Sequence, residues 1–198
     1  MKIIKTSAAA LLLMSTLAVA GGDIAPVEPE ITTPEVAETT PALTGFYAGL
    51  GYTYMKMDNA GAAGDVNGNG ITLLGGYNFH KYLAVEGRYS TTLGDLSVDN
   101  GADAGDLSNI ALYLKPQYTI NRFKLYGLLG YGQVTYDNGT TDYSENGFQY
   151  GAGVGIMATD NIDVYVDYTR LYDDDGFDGL ANKNITVDAV NVGVNYNF

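Results

Sequence analysis

From residue 45 onward, apolar and polar side chains alternate with period two. The alternation falls into eight stretches, roughly 46–57, 69–80, 82–94, 108–120, 122–137, 147–159, 161–172 and 185–198. No window sustains a helical period, so each stretch predicts a strand. In the first stretch the apolar row is Phe46, Ala48, Leu50, Tyr52 and Tyr54. In the fourth it is Ile110, Leu112, Leu114, Pro116, Tyr118 and Ile120, and in the last Val190, Val192, Val194, Tyr196 and Phe198. The fifth is the weakest, because Leu125, Gly127, Leu129 and Tyr131 give way to Gln133. The opposite row is smaller and more polar, with Thr72, Asn78, Glu86, Arg88, Lys115, Gln149, Asp163, Asp167 and Asn191.

Alternation alone fits either a soluble sandwich with its apolar row inside or a membrane barrel with that row outside. Three features favour the barrel. The stretches exceed the five or six residues typical of soluble strands and suit the ~9–11 that a tilted membrane strand needs. The inward row is rich in glycine, as in Gly151-Ala152-Gly153-Val154-Gly155. An export signal precedes the strands. A closed barrel also leaves no open edge in hydrocarbon. The fold class expected is therefore all-β: an eight-stranded antiparallel up-and-down transmembrane β-barrel, closed by a last strand running to Phe198. Aromatic residues gather toward the strand ends, as interfacial girdles do. Tyr113, Tyr126 and Tyr165 are expected to fill a narrow lumen against the glycines of the sixth stretch. Pro116 has no N–H to give, which predicts a bulge or a missing bond there.

The connections alternate in length. Short ones lie at His80-Lys81, Asn121-Arg122 and Asp160-Asn161, and long ones span 58–68, 95–107, 138–146 and 173–184. With Asp137 at the edge of one of them, the long set carries thirteen of the chain's 23 acids, twelve inside the spans, which keeps that end hydrated. This arrangement predicts both termini and the short turns on the periplasmic side, with the long loops extracellular.

Residues 1–20 read as a cleaved signal peptide: Lys2 and Lys5, an apolar run from Ala8 to Val19, and the small residues Ala18-Val19-Ala20. The run is shorter than the roughly 20 apolar residues of a spanning helix. Residues 21–44 hold four of the five prolines and have no strand or helix period, so they read as an acidic Pro-rich periplasmic linker. Residues 45–198 form the barrel.

The formal net charge of −13 argues against nucleic acid as a partner. The absence of cysteine excludes disulfides and thiolate chemistry, and a single histidine, His80, cannot make a histidine metal cluster. A serine–histidine–acid arrangement would need His80, which falls at a short turn with no matched serine. No phosphate loop or nucleophile motif is present. The chain reads as non-enzymatic, with no cofactor and no metal. The acidic run Asp173-Asp174-Asp175-Gly176-Phe177-Asp178-Gly179 departs from EF-hand spacing and reads as a solvated loop.

On these residues the chain resembles the small eight-stranded outer-membrane β-barrel proteins of Gram-negative bacteria, the opacity-protein and porin-like group and the OmpA-type membrane domain. Gly45-Phe46-Tyr47-Ala48-Gly49-Leu50-Gly51-Tyr52 and Asn191-Val192-Gly193-Val194-Asn195-Tyr196-Asn197-Phe198 carry the likeness over residues 45–198. The resemblance implies the Gram-negative outer membrane as location, with its lipid and lipopolysaccharide as partners. It implies that Val194, Tyr196 and Phe198 are an assembly signal for the barrel assembly machinery. OmpA-type proteins follow the barrel with a peptidoglycan-binding domain, and wall anchoring of that kind is not expected here.

Two functions remain in view. Glu86, Arg88, Lys115 and Asp167 fall at comparable heights on the inward row and would pair as a charge network, because charges in a dry interior must be paired. Such a network makes a structural barrel whose loops contact an extracellular ligand. The alternative is a narrow porin-like channel for small solutes or ions through the same residues.

Overall fold

The computed structural model describes residues 44–58, 65–94, 96–98, 105–177 and 184–198. The expected signal peptide and almost all of the expected linker lie outside the described residues. Nine strands follow in chain order: β1 (Gly45–Asp58), β2 (Val66–His80), β3 (Leu83–Thr92), β4 (Ser97–Val98), β5 (Asp106–Ile120), β6 (Phe123–Asp137), β7 (Asp142–Met157), β8 (Ile162–Asp174) and β9 (Ile185–Asn197). Eight of them form a closed antiparallel barrel in the order β1-β9-β8-β7-β6-β5-β3-β2, with β1 pairing again to β2. The ninth, β4, is a two-residue strip in the long 95–107 connection that adds to β2 through Val66↔Val98 and Asn67↔Ser97. Closure runs along β1 and β9 from Tyr47↔Asn197 to Asp58↔Thr186, and the Phe198 amide donates to the Phe46 carbonyl at 3.0 Å.

The outward apolar row is where the alternation places it. Phe46, Leu50, Tyr52, Leu73, Ile110, Leu112, Tyr131, Phe148, Val192 and Phe198 are all exposed. Such a surface is intolerable in water and is the natural partner of hydrocarbon. Its aromatics form two belts. Phe46, Tyr77, Phe79, Tyr82, Tyr118, Tyr196 and Phe198 ring the short-turn end, and Tyr52, Tyr54, Tyr89, Tyr131, Phe148 and Tyr168 ring the other.

The strands outrun that surface. β7 has 16 residues, whereas crossing the bilayer takes ~9–11. Beyond the second belt the phase of the alternation inverts. On β1 the outward positions become Lys56 and Asp58, while Met55 and Met57 turn inward and are fully buried. On β9 Ile185 and Val187 point in and Thr186 and Asp188 out; on β6 Val134 and Tyr136 point in and Thr135 and Asp137 out. The inward set joins Leu96, Leu107, Leu171 and Phe177 in one apolar cluster. A bulge in β8 between Arg170 and Tyr172 turns both Leu171 and Tyr172 inward to complete it. The expectation of a polar inward row along the whole barrel is therefore corrected: above the membrane belt the wall follows the rule for water, apolar inside and polar outside.

Two local expectations also change. The 138–146 connection is four residues long, Asn138–Thr141, because Asn138 Oδ1 accepts the amides of Thr140 (3.0 Å) and Thr141 (2.9 Å) and Gly139 takes φ 81°. β7 therefore begins at Asp142, with Tyr143 stacked on Tyr136 at 6.3 Å. At Pro116 the β5–β6 ladder skips from Leu114↔Leu129 to Gln117↔Tyr126. Bonding is lost there, as the missing N–H dictates, but the register is the same on both sides and no bulge forms.

Candidate functional site

The lumen is filled by three tiers of side chains. The middle tier is ionic. β3 alternates Glu86 and Arg88 inward, β5 contributes Lys115 and β8 contributes Asp167; all four are buried. Arg88 Nη1 and Nη2 donate to Asp167 Oδ1 and Oδ2 at 3.0 and 2.8 Å, a two-bond fork. Arg88 Nε donates to Glu86 Oε1 at 2.5 Å, and Lys115 Nζ donates to Glu86 Oε2 at 2.6 Å. Two carboxylates thus face two cations, and the tier is neutral.

The remaining lone pairs are satisfied by neutral donors. Tyr47 Oη donates to Glu86 Oε2 at 2.6 Å, Tyr126 Oη to Asp167 Oδ2 at 2.8 Å, and Asn191 Nδ2 to Asp167 Oδ1 at 2.8 Å. Thr72 Oγ1 continues the chain to Asn191 Oδ1 at 2.9 Å. Lys115 Nζ also lies 4.2 Å from the centre of the Tyr126 ring and 5.1 Å from that of Tyr47. Glycine makes the room: a Cβ on Gly153 would collide with the Tyr126 ring, one on Gly76 with Tyr47, and one on Gly193 with the Tyr165 hydroxyl. The tyrosines that fill the lumen therefore lie against glycines on several strands, not only those of β7.

Toward the short turns the second tier is polar. Lys124 Nζ donates to Asp163 Oδ2 at 2.7 Å, and Gln117 Nε2 donates to Asn78 Oδ1 at 2.9 Å. Toward the long connections Gln149 accepts from Tyr113 and donates to Asn109 Oδ1 at 2.7 Å. Above it sits the apolar cluster, with Phe177 edge-on to Tyr172 at 5.0 Å. Sequence reading brought together Glu86, Arg88, Lys115 and Asp167 and missed Tyr47 as a member of the same tier. Its inward parity on β1 was the available signal. The apolar third tier was missed entirely.

The other candidates are apart from the lumen. Val194 and Tyr196 lie outward on β9 and Phe198 follows them, with its ring edge-on to Tyr196 at 5.1 Å. His80 is exposed at the β2–β3 turn, where its Nδ1 accepts the Tyr82 amide at 3.3 Å. Asp173 pairs with Arg170 at 3.0 Å. Among the described residues no three histidine or acidic side chains converge as a metal site would require.

The family described as the outer membrane protein beta-barrel domain matches residues 6–198. The chain belongs to that family. This outer-membrane barrel is also 31% identical over 166 residues to a 22 kDa outer membrane protein of Rhizobium leguminosarum bv. viciae, covering 78% of the chain and 77% of the relative. Among solved structures its barrel is similar to Ail, the attachment invasion locus protein of Yersinia pestis, at 22% identity and TM-score 0.54, covering 78% of this chain and 99% of that one. It is similar as well to Neisserial surface protein A, at 18% identity and TM-score 0.57, covering 78% and 98%. These likenesses agree on the fold, and the family places the barrel in the Gram-negative outer membrane.

Proposed function

We propose that this outer-membrane barrel is a non-enzymatic structural element of the membrane, closed to ions, whose long connections face the outside and make its surface contacts. The observation that carries the reading is the neutral Glu86–Arg88–Lys115–Asp167 tier capped by an apolar cluster. An ion crossing would have to break buried, hydrogen-bonded pairs and then pass an apolar plug. Reconstitution of the whole chain in a planar bilayer tests it: the expectation is a bilayer without discrete openings. Regular openings whose ion preference changes in a protein carrying both Arg88→Gln and Lys115→Gln would establish a narrow channel instead. One observation favours that second reading. Among the described residues, the hydroxyls of Thr53, Tyr165 and Thr169 are buried without a protein partner, as groups lining a thin hydrated path would be.

We infer that the short turns and both termini are periplasmic, supported by the acidic long connections and the turn lengths. Val194, Tyr196 and Phe198, outward at the closing seam, are proposed as the signal read by the assembly machinery. Phe198→Ser is expected to lower the amount of heat-modifiable, membrane-inserted protein in cells while leaving synthesis unchanged; an unaltered yield would remove that role. Ail has been crystallised with the heparin analogue sucrose octasulfate. On this chain the long-connection end is acidic, so the surface partner proposed is cationic, and no retention on immobilised heparin at physiological salt is expected.

A further inference from the structure

The outer wall is not uniformly bulky. Between the row Leu114, Leu129, Tyr150 and the row Tyr118, Leu125, Val154 runs a row of short side chains, Pro116, Gly127 and Ala152, continued by Tyr168 and Val190 on β8 and β9. The result is an open, almost wholly apolar groove of about 1060 Å³ on the membrane face. From β5 to β9 it crosses four inter-strand spacings of about 4.8 Å, roughly 19 Å. It runs obliquely because the strands tilt by roughly 35–45°, so it rises roughly 11–13 Å, within the ~15 Å of one hydrocarbon leaflet.

One end of the groove has a polar mouth. Tyr82 and Tyr118 line it and stack on each other at 5.9 Å, in the short-turn belt. Lys81 Nζ lies 4.7 Å over the Tyr82 ring, and Arg122 occupies the turn that joins the strands bearing Tyr118 and Leu125. Among the described residues Lys56, Arg88, Lys115, Lys124 and Arg170 each hold an acid in a salt bridge, whereas Lys81 and Arg122 hold none. The two cations without a carboxylate therefore sit in adjacent turns beside the mouth of a chain-wide apolar groove.

We propose that this groove is a binding site for a single glycerophospholipid of the leaflet on the short-turn side. One acyl chain lies along Pro116, Gly127 and Ala152, the glycerol region meets Tyr82 and Tyr118, and the phosphate is held by Lys81 and Arg122. The cations select a phosphate head, and the groove selects an acyl chain over a bulky side chain of a partner barrel. Assignment of the leaflet rests on the orientation proposed above. Binding does not, since a micelle has no leaflets.

The test uses the full chain, stripped of lipid in a mild detergent and offered a 16-carbon phosphatidylglycerol or the matching diacylglycerol, with retention read by native mass spectrometry. The parent is expected to retain one phosphatidylglycerol and at least five-fold less diacylglycerol. Gly127→Leu should lower retention at least five-fold while heat-modifiable mobility, which reports folding, is unchanged; a Cβ there meets nothing nearer than Pro116 Cγ at 3.5 Å, an ordinary contact. The Lys81→Gln, Arg122→Gln pair should erase the preference for the phosphate-bearing lipid. Equal retention of both lipids by the parent, unchanged retention by Gly127→Leu, or a protein dimer in place of the lipid adduct would overturn the site.

Discussion

At the residue scale the lumen rests on Asp167, which accepts both fork nitrogens of Arg88, the Tyr126 hydroxyl and the Asn191 amide. Replacing it with asparagine leaves one carboxylate, Glu86, to offset two buried cations, Arg88 and Lys115. Asp167→Asn is expected to destabilise the barrel by about 3–5 kcal/mol, read from urea titration in micelles. The outer-wall pair Arg170–Asp188, at 2.9 Å and partly exposed, is a useful contrast: Asp188→Asn should cost no more than about 1 kcal/mol. Glycines divide in the same way. Gly153→Ala drives a methyl into the Tyr126 ring and the Asp167 side chain and should cost about 1–3 kcal/mol. Gly75→Ala faces outward, with nothing closer than 3.9 Å, and should fold as the parent does.

At the element scale β1, β6 and β9 are each two strands end to end. The half inside the membrane belt obeys the inverted rule of lipid, and the half beyond it obeys the rule of water. Met57 and Lys56 are neighbours in sequence on opposite faces of that second half. Met57→Asp places a charge among Val66, Leu107, Ile185 and Val187 and should lower the urea midpoint sharply, with faster amide exchange confined to the strand ends next to the long connections. Lys56→Ala should shift the midpoint little. The membrane half was legible in the sequence because period two has one phase there, and Phe46 through Tyr54 could be assigned one by one. The outer half was not, because a single phase had been carried through each strand. Gln133 on β6, which made that strand look weak, was the point of inversion: past it Val134 and Tyr136 point in and Thr135 and Asp137 out. The early start of β7 escaped for the same reason, since Asp142, Ser144 and Asn146 do not resemble a lipid-facing row. Tyr47 escaped as a partner of Glu86 because strand parity gives the side of the wall but not which inward residues meet across the lumen.

At the scale of the whole molecule the two ends differ in chemistry. The long-connection end is acidic outside and apolar inside, while the short-turn end carries Lys81 and Arg122 with aromatic rings beneath. The natural absence of cysteine makes orientation directly measurable. A cysteine at Gly139 should react with an impermeant maleimide on intact cells, and one at Asn121 only after the outer membrane is opened. The opposite pattern would reverse the orientation proposed here.

The seam between β1 and β9 also has a consequence in time. Tyr47 pairs with Asn197, 150 positions later, so β1, paired to β2 along one edge, has no neighbour along its other edge until the last strand has been made and delivered. The other long strands before the last find both partners close in the chain, whereas β1 must wait with one edge unpaired. Such long-range pairing is slow, and an exposed edge of alternating apolar residues is prone to join other chains. The interval between synthesis and closure is thus the most vulnerable stage in the life of this protein. A slowly inserting variant should betray itself as aggregate before any defect shows in the finished barrel.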